Sequence, residues 1–150
     1  MPAVHALIDF FENGIAFNKH LGMKVVELRE GFCRLKIPFR PELVGDPFRP
    51  ALHGGVISAL ADTAGGLAVF ASVGTPIARV STVDLRVDYY APAGMEDLYA
   101  DAQVMRLGNR VGVARIQVHH HADFAGDIAH LLAEGKGVYN VHKTPPVLTR

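Results

Sequence analysis

Between His53 and Arg79 only one side chain ionises near neutral pH. It is Asp62, in the middle of the apolar run Gly-Gly-Val-Ile-Ser-Ala-Leu-Ala-Asp-Thr-Ala-Gly-Gly-Leu-Ala-Val-Phe-Ala-Ser over residues 54–72. Taking a carboxylate out of water is unfavourable unless it is paired, and burial tends to raise its pKa. Such a residue is either a structural aspartate held by backbone donors or an arginine, or a reactive one able to act as base or nucleophile. Just upstream, His53-Gly54-Gly55 stands where a proline-rich loop meets the apolar run. If that run is a helix, its first N–H groups are unpaired and lie at the positive end of the helix dipole. Glycine lets a substrate approach those amides, which suits them to hold a carbonyl oxygen as negative charge builds on it during attack. The same two glycines would also serve a plain tight turn.

These groups need elements to position them. Residues 54–72 are small or apolar on every face, the pattern of a helix buried all round. Residues 3–18 carry Leu7, Ile8, Phe10, Phe11 and Ile15 among polar positions, which predicts an amphipathic N-terminal helix acting as a lid or prop. Residues 23–38 read as a hairpin broken near Glu30-Gly31, and four prolines between Pro38 and Pro50 make that stretch a loop. After the helix, Val83, Leu85, Val87 and Tyr89 oppose Asp84, Arg86, Asp88 and Tyr90, the period of a half-buried strand. Similar alternation recurs at Leu98–Val104, Ala114–Val118 and Ala129–Ala133, with turns at Pro92-Ala93-Gly94, Gly108-Asn109 and 123–126, which implies an antiparallel meander. The expected fold class is α+β, a long central helix wrapped by an antiparallel sheet of five or six strands. The tail 143–150, with two adjacent prolines, is expected to be flexible.

The chain has 150 residues, 49% of them hydrophobic, which predicts one domain over 1–150 with a packed core. Fifteen basic residues balance fifteen acidic ones, so no global positive field gathers nucleic acid or anionic lipid, and neither is an expected partner. The lone Cys33 suits a reducing compartment, and the N-terminus lacks the basic and apolar regions of a signal peptide. With no uninterrupted apolar run of 18 residues, the expectation is a cytoplasmic protein outside the membrane.

Together, His53-Gly54-Gly55, six residues, then Asp62-Thr63-Ala64 resemble the signature of PaaI-like acyl-CoA thioesterases of the hotdog fold. The likeness extends to Val83-Asp84-Leu85-Arg86-Val87-Asp88-Tyr89-Tyr90-Ala91-Pro92-Ala93 and to the turn Gly108-Asn109-Arg110, and so to most of the chain. It implies hydrolysis of a small aryl- or short/medium-chain acyl-CoA. Asp62 would be nucleophile or general base, the Gly55 N–H would polarise the thioester carbonyl, and His53 would orient that region. Thr82 would stand near the attacking water. Asp46 occupies a place where many members have asparagine, and a carboxylate cannot donate as an amide does. Gly54, Thr63, Arg86, Tyr89, Asn109 and Arg110 are the implied substrate contacts. Arg110 ranks ahead of Arg86, Arg106 and Arg79 for the CoA phosphates. The resemblance also implies a homodimer or dimer of dimers whose site faces a carboxylate of one subunit with the glycine amides of another. No cofactor is expected. The rival readings are a hotdog hydratase or dehydratase and a non-catalytic acyl-CoA binding protein.

His119-His120-His121 with Asp123 offers two same-face histidines, half a metal site at most, so no metal is expected. Phe48, Phe70, Tyr89, Tyr90 and the N-terminal helix are candidates to line an acyl or aryl pocket.

Overall fold

Twenty residues from Gly54 to Val73 form the long helix, α3, ending at Gly74 in the left-handed conformation (φ 74°) that a side chain would strain. The computed structural model describes residues 2–143, with side chains from Val4 onward, so the tail 144–150 lies outside the described residues. Ahead of α3 come α1 (Pro2–Asp9), a π-helical turn at Phe10–Gly14, α2 (Ala16–Leu21), β1 (Lys24–Arg29), β2 (Phe32–Ile37), β3 (Val44–Asp46) and β4 (Ala51–Leu52). After it come β5 (Arg79–Tyr89), β6 (Leu98–Leu107), β7 (Val111–His119) and β8 (Ala133–His142). Six strands make one antiparallel sheet in the order β1-β2-β6-β7-β8-β5, and β3 and β4 form a small separate pair. This is the hotdog arrangement, one long helix against a six-stranded antiparallel sheet.

The buried face of α3 presents Ile57, Leu60, Ala61, Ala64, Leu67 and Ala68 to Leu35 and Ile37 of β2, Ala100 and Ala102 of β6, Ile116 of β7 and Tyr139 of β8. Each fully buried leucine or isoleucine contributes about 1.5–3 kcal/mol. Strand alanines let the helix approach, and Gly65 does the same for Tyr139, whose ring occupies the space a Cβ would need.

Four expectations need correction. The helix is not buried all round: Gly55 is exposed, and Ser58, Ala59, Asp62, Thr63, Gly66 and Phe70 are only half-buried, so they form one stripe left uncovered. The N-terminal helix is interrupted, because the chain widens into a π-turn at Phe10–Gly14, where the Phe10 ring lies over Gly14. The last strand begins at Ala133, and residues 128–130 are a 3-10 turn. Only β6-β7-β8 is a meander, since β5 crosses to the far edge beside β8.

On the sheet face away from α3, Asp101 is 9% exposed and accepts from Arg34 Nε and Nη2, each at 2.6 Å. Arg34 also donates to the carbonyls of Ala122 and Phe124, tying down the β7–β8 connection. His119 is fully buried, stacked on Phe124 at 4.0 Å and on Tyr99 at 5.9 Å. Its Nε2 lies 3.2 Å from Asp101 Oδ1. Burial works to raise the Asp101 pKa, but the Arg34 hydrogen bonds, aided by nearby His119, outweigh it and hold the carboxyl below its ordinary range.

Candidate active site

A bulge in β5 aims the first key side chain. The pairing of β5 with β8 slips between Thr82 and Asp84, so Val83 is extra and points outward, 65% exposed. Strict alternation would put Thr82 on the face opposite Leu85. With the bulge, Thr82 reaches α3, and Val80, Leu85 and Val87 pack on the core. Thr82 Oγ1 donates to Asp62 Oδ1 at 2.7 Å. The Tyr139 hydroxyl donates to the Asp62 backbone carbonyl at 3.0 Å, and burial, with the Asp62 charge adding, pushes the Tyr139 phenol up so that it stays protonated. Asp62 is half-buried in a cleft of about 570 Å³ that Thr63, Thr82 and Arg79 line with Phe10, Phe17 and Phe70. A carboxylate here faces a largely apolar chamber that also holds Arg79, with one hydroxyl donor on its side chain.

The second group gathers at the start of α3. His53 is the N-cap, and its Nδ1 accepts from the Gly55 N–H at 2.8 Å. A nitrogen that accepts carries no proton, so the neutral ring bears its proton on Nε2. The amide expected to polarise a carbonyl is therefore engaged by its own neighbour, and a substrate oxygen must displace or share it. Tyr89 comes across from β5, donating to the Gly54 carbonyl at 3.1 Å and hydrogen-bonding Ser58 Oγ. His53, Gly54, Gly55, Ser58 and Tyr89 thus form one patch.

The remaining candidates are placed elsewhere. Asp46 accepts from the N–H groups of Phe48 (2.8 Å) and Arg49 (3.1 Å), shaping the turn of the β3–β4 pair that leads into His53. Every one of these contacts uses Asp46 as an acceptor. The Thr63 hydroxyl donates to the Ala59 carbonyl at 2.9 Å, which leaves its methyl for the cleft. Arg86 lies exposed on the edge strand beside Asp88. Asn109 and Arg110 sit at the β6–β7 turn, lining a separate polar cleft of about 510 Å³ with Asn140, His142 and Lys143. Among the described residues no group of three or more His, Cys, Asp or Glu side chains could hold a metal.

Phe10 and Phe17 come from the N-terminal segment expected to line a pocket, whereas Ser58 and Tyr139 were not expected at the site. Ser58, Gly66 and Phe70 share the helical stripe of Asp62, so projecting the helix around Asp62 signals them in the sequence.

The chain matches the thioesterase superfamily model over residues 50–123. It is 40% identical over 140 residues to a candidate esterase of Halobacterium salinarum, covering 92% of each chain. It is 34% identical over 124 residues to the medium/long-chain acyl-CoA thioesterase YigI of Escherichia coli, covering 75% of this chain and 80% of that one. A solved thioesterase-superfamily structure superposes with a TM-score of 0.80 at 34% identity, over 95% of this chain and all of the other.

Proposed function

This chain belongs to the thioesterase superfamily and is a thioester hydrolase, and from that premise we propose that it hydrolyses acyl-CoA with Asp62 as general base. The observation that carries this reading is the Asp62 carboxylate in an apolar cleft, 2.7 Å from the Thr82 hydroxyl. While donating to Asp62, the Thr82 oxygen keeps lone pairs to accept from a water, so the two residues hold that water between them. Asp62 takes its proton as the oxygen adds to the thioester carbon. The intermediate then expels the CoA thiolate, which recovers the proton. The acyl group, an aryl or a short- to medium-chain aliphatic one, occupies the cleft. Within the superfamily, His53-Gly54-Gly55 and Asp62-Thr63-Ala64 support a PaaI-like member, with Arg110 as the first candidate to meet the CoA phosphates.

The site spans two copies of the chain. Gly55 and Asp62 are separated by about 10 Å along α3, at 1.5 Å per residue. The N–H groups at a helix start point away from the helix, so an oxygen bound to Gly55 is farther still from Asp62. The water and the amide must both reach one carbonyl at about 3 Å. The amide therefore comes from a second copy, either in a dimer or in a dimer of dimers. The uncovered stripe of α3 and the unpaired edge of β5, with Val83, Tyr89 and Tyr90 exposed, support that assembly. The proposed compartment is the cytoplasm, where Cys33, whose thiol burial pushes up, stays reduced.

The test is thiol release from phenylacetyl-, benzoyl-, acetoacetyl- and hexanoyl-CoA by wild type and Asp62→Asn. Turnover lost in the variant supports the reading, and turnover retained removes Asp62 from the chemistry. Single turnover in oxygen-18 water that leaves Asp62 unlabelled supports general base over nucleophile.

A further inference from the structure

The Asp62 cleft does not end at its aromatic wall. A second cleft of about 580 Å³ begins where it stops, and the two share Phe10, Phe70 and Ala78. Beyond those shared residues the second cleft is walled by Val4 and Leu7 of α1, Ala71 of α3 and Pro76, and its described lining holds no charged side chain. The π-turn builds the partition. It brings two consecutive phenylalanines to the joint, Phe11 meeting Phe70 at 6.1 Å and Phe10 meeting Phe11 edge-on at 5.8 Å, while Gly14 leaves room for the Phe10 ring. Phe10 is 54% exposed and has little packing to hold it shut.

We propose that the two clefts in series are an acyl-chain ruler, with Phe10 and Phe70 as the gate between them, and that the preferred substrate is an aliphatic acyl chain long enough to pass the gate. This rests on the acyl-CoA hydrolase reading and deepens it. From Asp62 to Phe70 along α3 is about 12 Å. An extended hydrocarbon advances a little over an ångström per carbon, so a hexanoyl chain ends within the first cleft and a dodecanoyl chain crosses the gate. Past it, each methylene leaves water for an apolar wall. A benzoyl or phenylacetyl group ends short of the gate and gains nothing from the second cleft.

The test uses the full chain, acyl-CoAs from hexanoyl to hexadecanoyl, and the matching S-alkyl-CoA thioethers, which bind without being hydrolysed. Ala71→Phe fills the second cleft alone, and Phe10→Ala opens the gate. We expect kcat/KM in wild type to rise from hexanoyl- to dodecanoyl-CoA. We expect Ala71→Phe to lower it about tenfold or more for dodecanoyl- and hexadecanoyl-CoA while hexanoyl-CoA stays within about twofold, as loss of an apolar subsite requires. Phe10→Ala should move the optimum toward hexadecanoyl-CoA, and this half-exposed position carries the test if Ala71→Phe does not fold. Identical chain-length profiles in wild type and variants overturn the ruler. If wild type releases no thiol yet its thioether affinity rises with chain length and Ala71→Phe abolishes that rise, the hydrolase reading falls and the ruler stands. If neither turnover nor affinity responds to length, both fall.

Discussion

Two aspartates on opposite sides of the fold divide its labour. Asp101, beneath the β7–β8 connection, is nearly enclosed, gripped twice by Arg34 and flanked by buried His119. Asp62, on the uncovered stripe of α3, is half-buried beside an apolar cleft, with the Thr82 hydroxyl as its side-chain donor. The first carboxylate has its charge matched by a guanidinium, so it fastens a loop and has little left to offer a reactant. The second is positioned by a neutral partner and keeps its acceptor capacity for a proton. Burial alone would rank Asp101 as the more unusual residue. The nature of the partners, cation against hydroxyl, separates scaffold from chemistry.

The contrast is open to direct attack. Asp62→Asn should lower kcat/KM about 10³-fold, within the range of lost general-base catalysis, and leave the melting temperature near that of wild type. Asp101→Asn should do the reverse. It should lower unfolding free energy in urea by about 3 kcal/mol, because Arg34 loses its partner in a nearly enclosed place, with turnover per folded molecule retained. If Asp101→Asn instead abolished turnover in a folded protein, the division between the two sites would collapse. The same pair separates by pH. The Asp101 pKa is depressed on folding, so its stabilisation is present above the unfolded carboxylate pKa and is lost as pH falls through the folded one. The stability gap between wild type and Asp101→Asn should therefore shrink below about pH 4. The smallest effect is expected from Thr82→Val, which keeps shape and removes the donor. It should reduce kcat by about tenfold with little change in KM, and an unchanged kcat would take Thr82 out of the water's position.

Asp62 was legible because nothing else between His53 and Arg79 ionises, and the sheet was legible from alternation. The helix's exposed stripe was not. Its polar residues, Ser58, Asp62 and Thr63, are few and stand among small and apolar side chains that suit an interface between chains as well as a core, so the stripe emerges only when the helix is projected around Asp62. The β5 bulge was hidden for a related reason: Val83 is as apolar as Leu85, and composition does not report which of the two is extra. The engagement of the Gly55 amide by His53 depends on a ring orientation that a motif does not contain. The Arg34–Asp101 grip joins residues 67 positions apart, beyond any local pattern.

The strand β5 touches α3 at both ends of the motif, through Tyr89 at Gly54 and through Thr82 at Asp62. That double clasp makes the interval between the glycines and the aspartate a fixed length shared by two elements of different rise per residue. An insertion or deletion within either interval would slide one clasp out of reach while the other held. Changes of length are therefore closed to this region unless helix and strand change together.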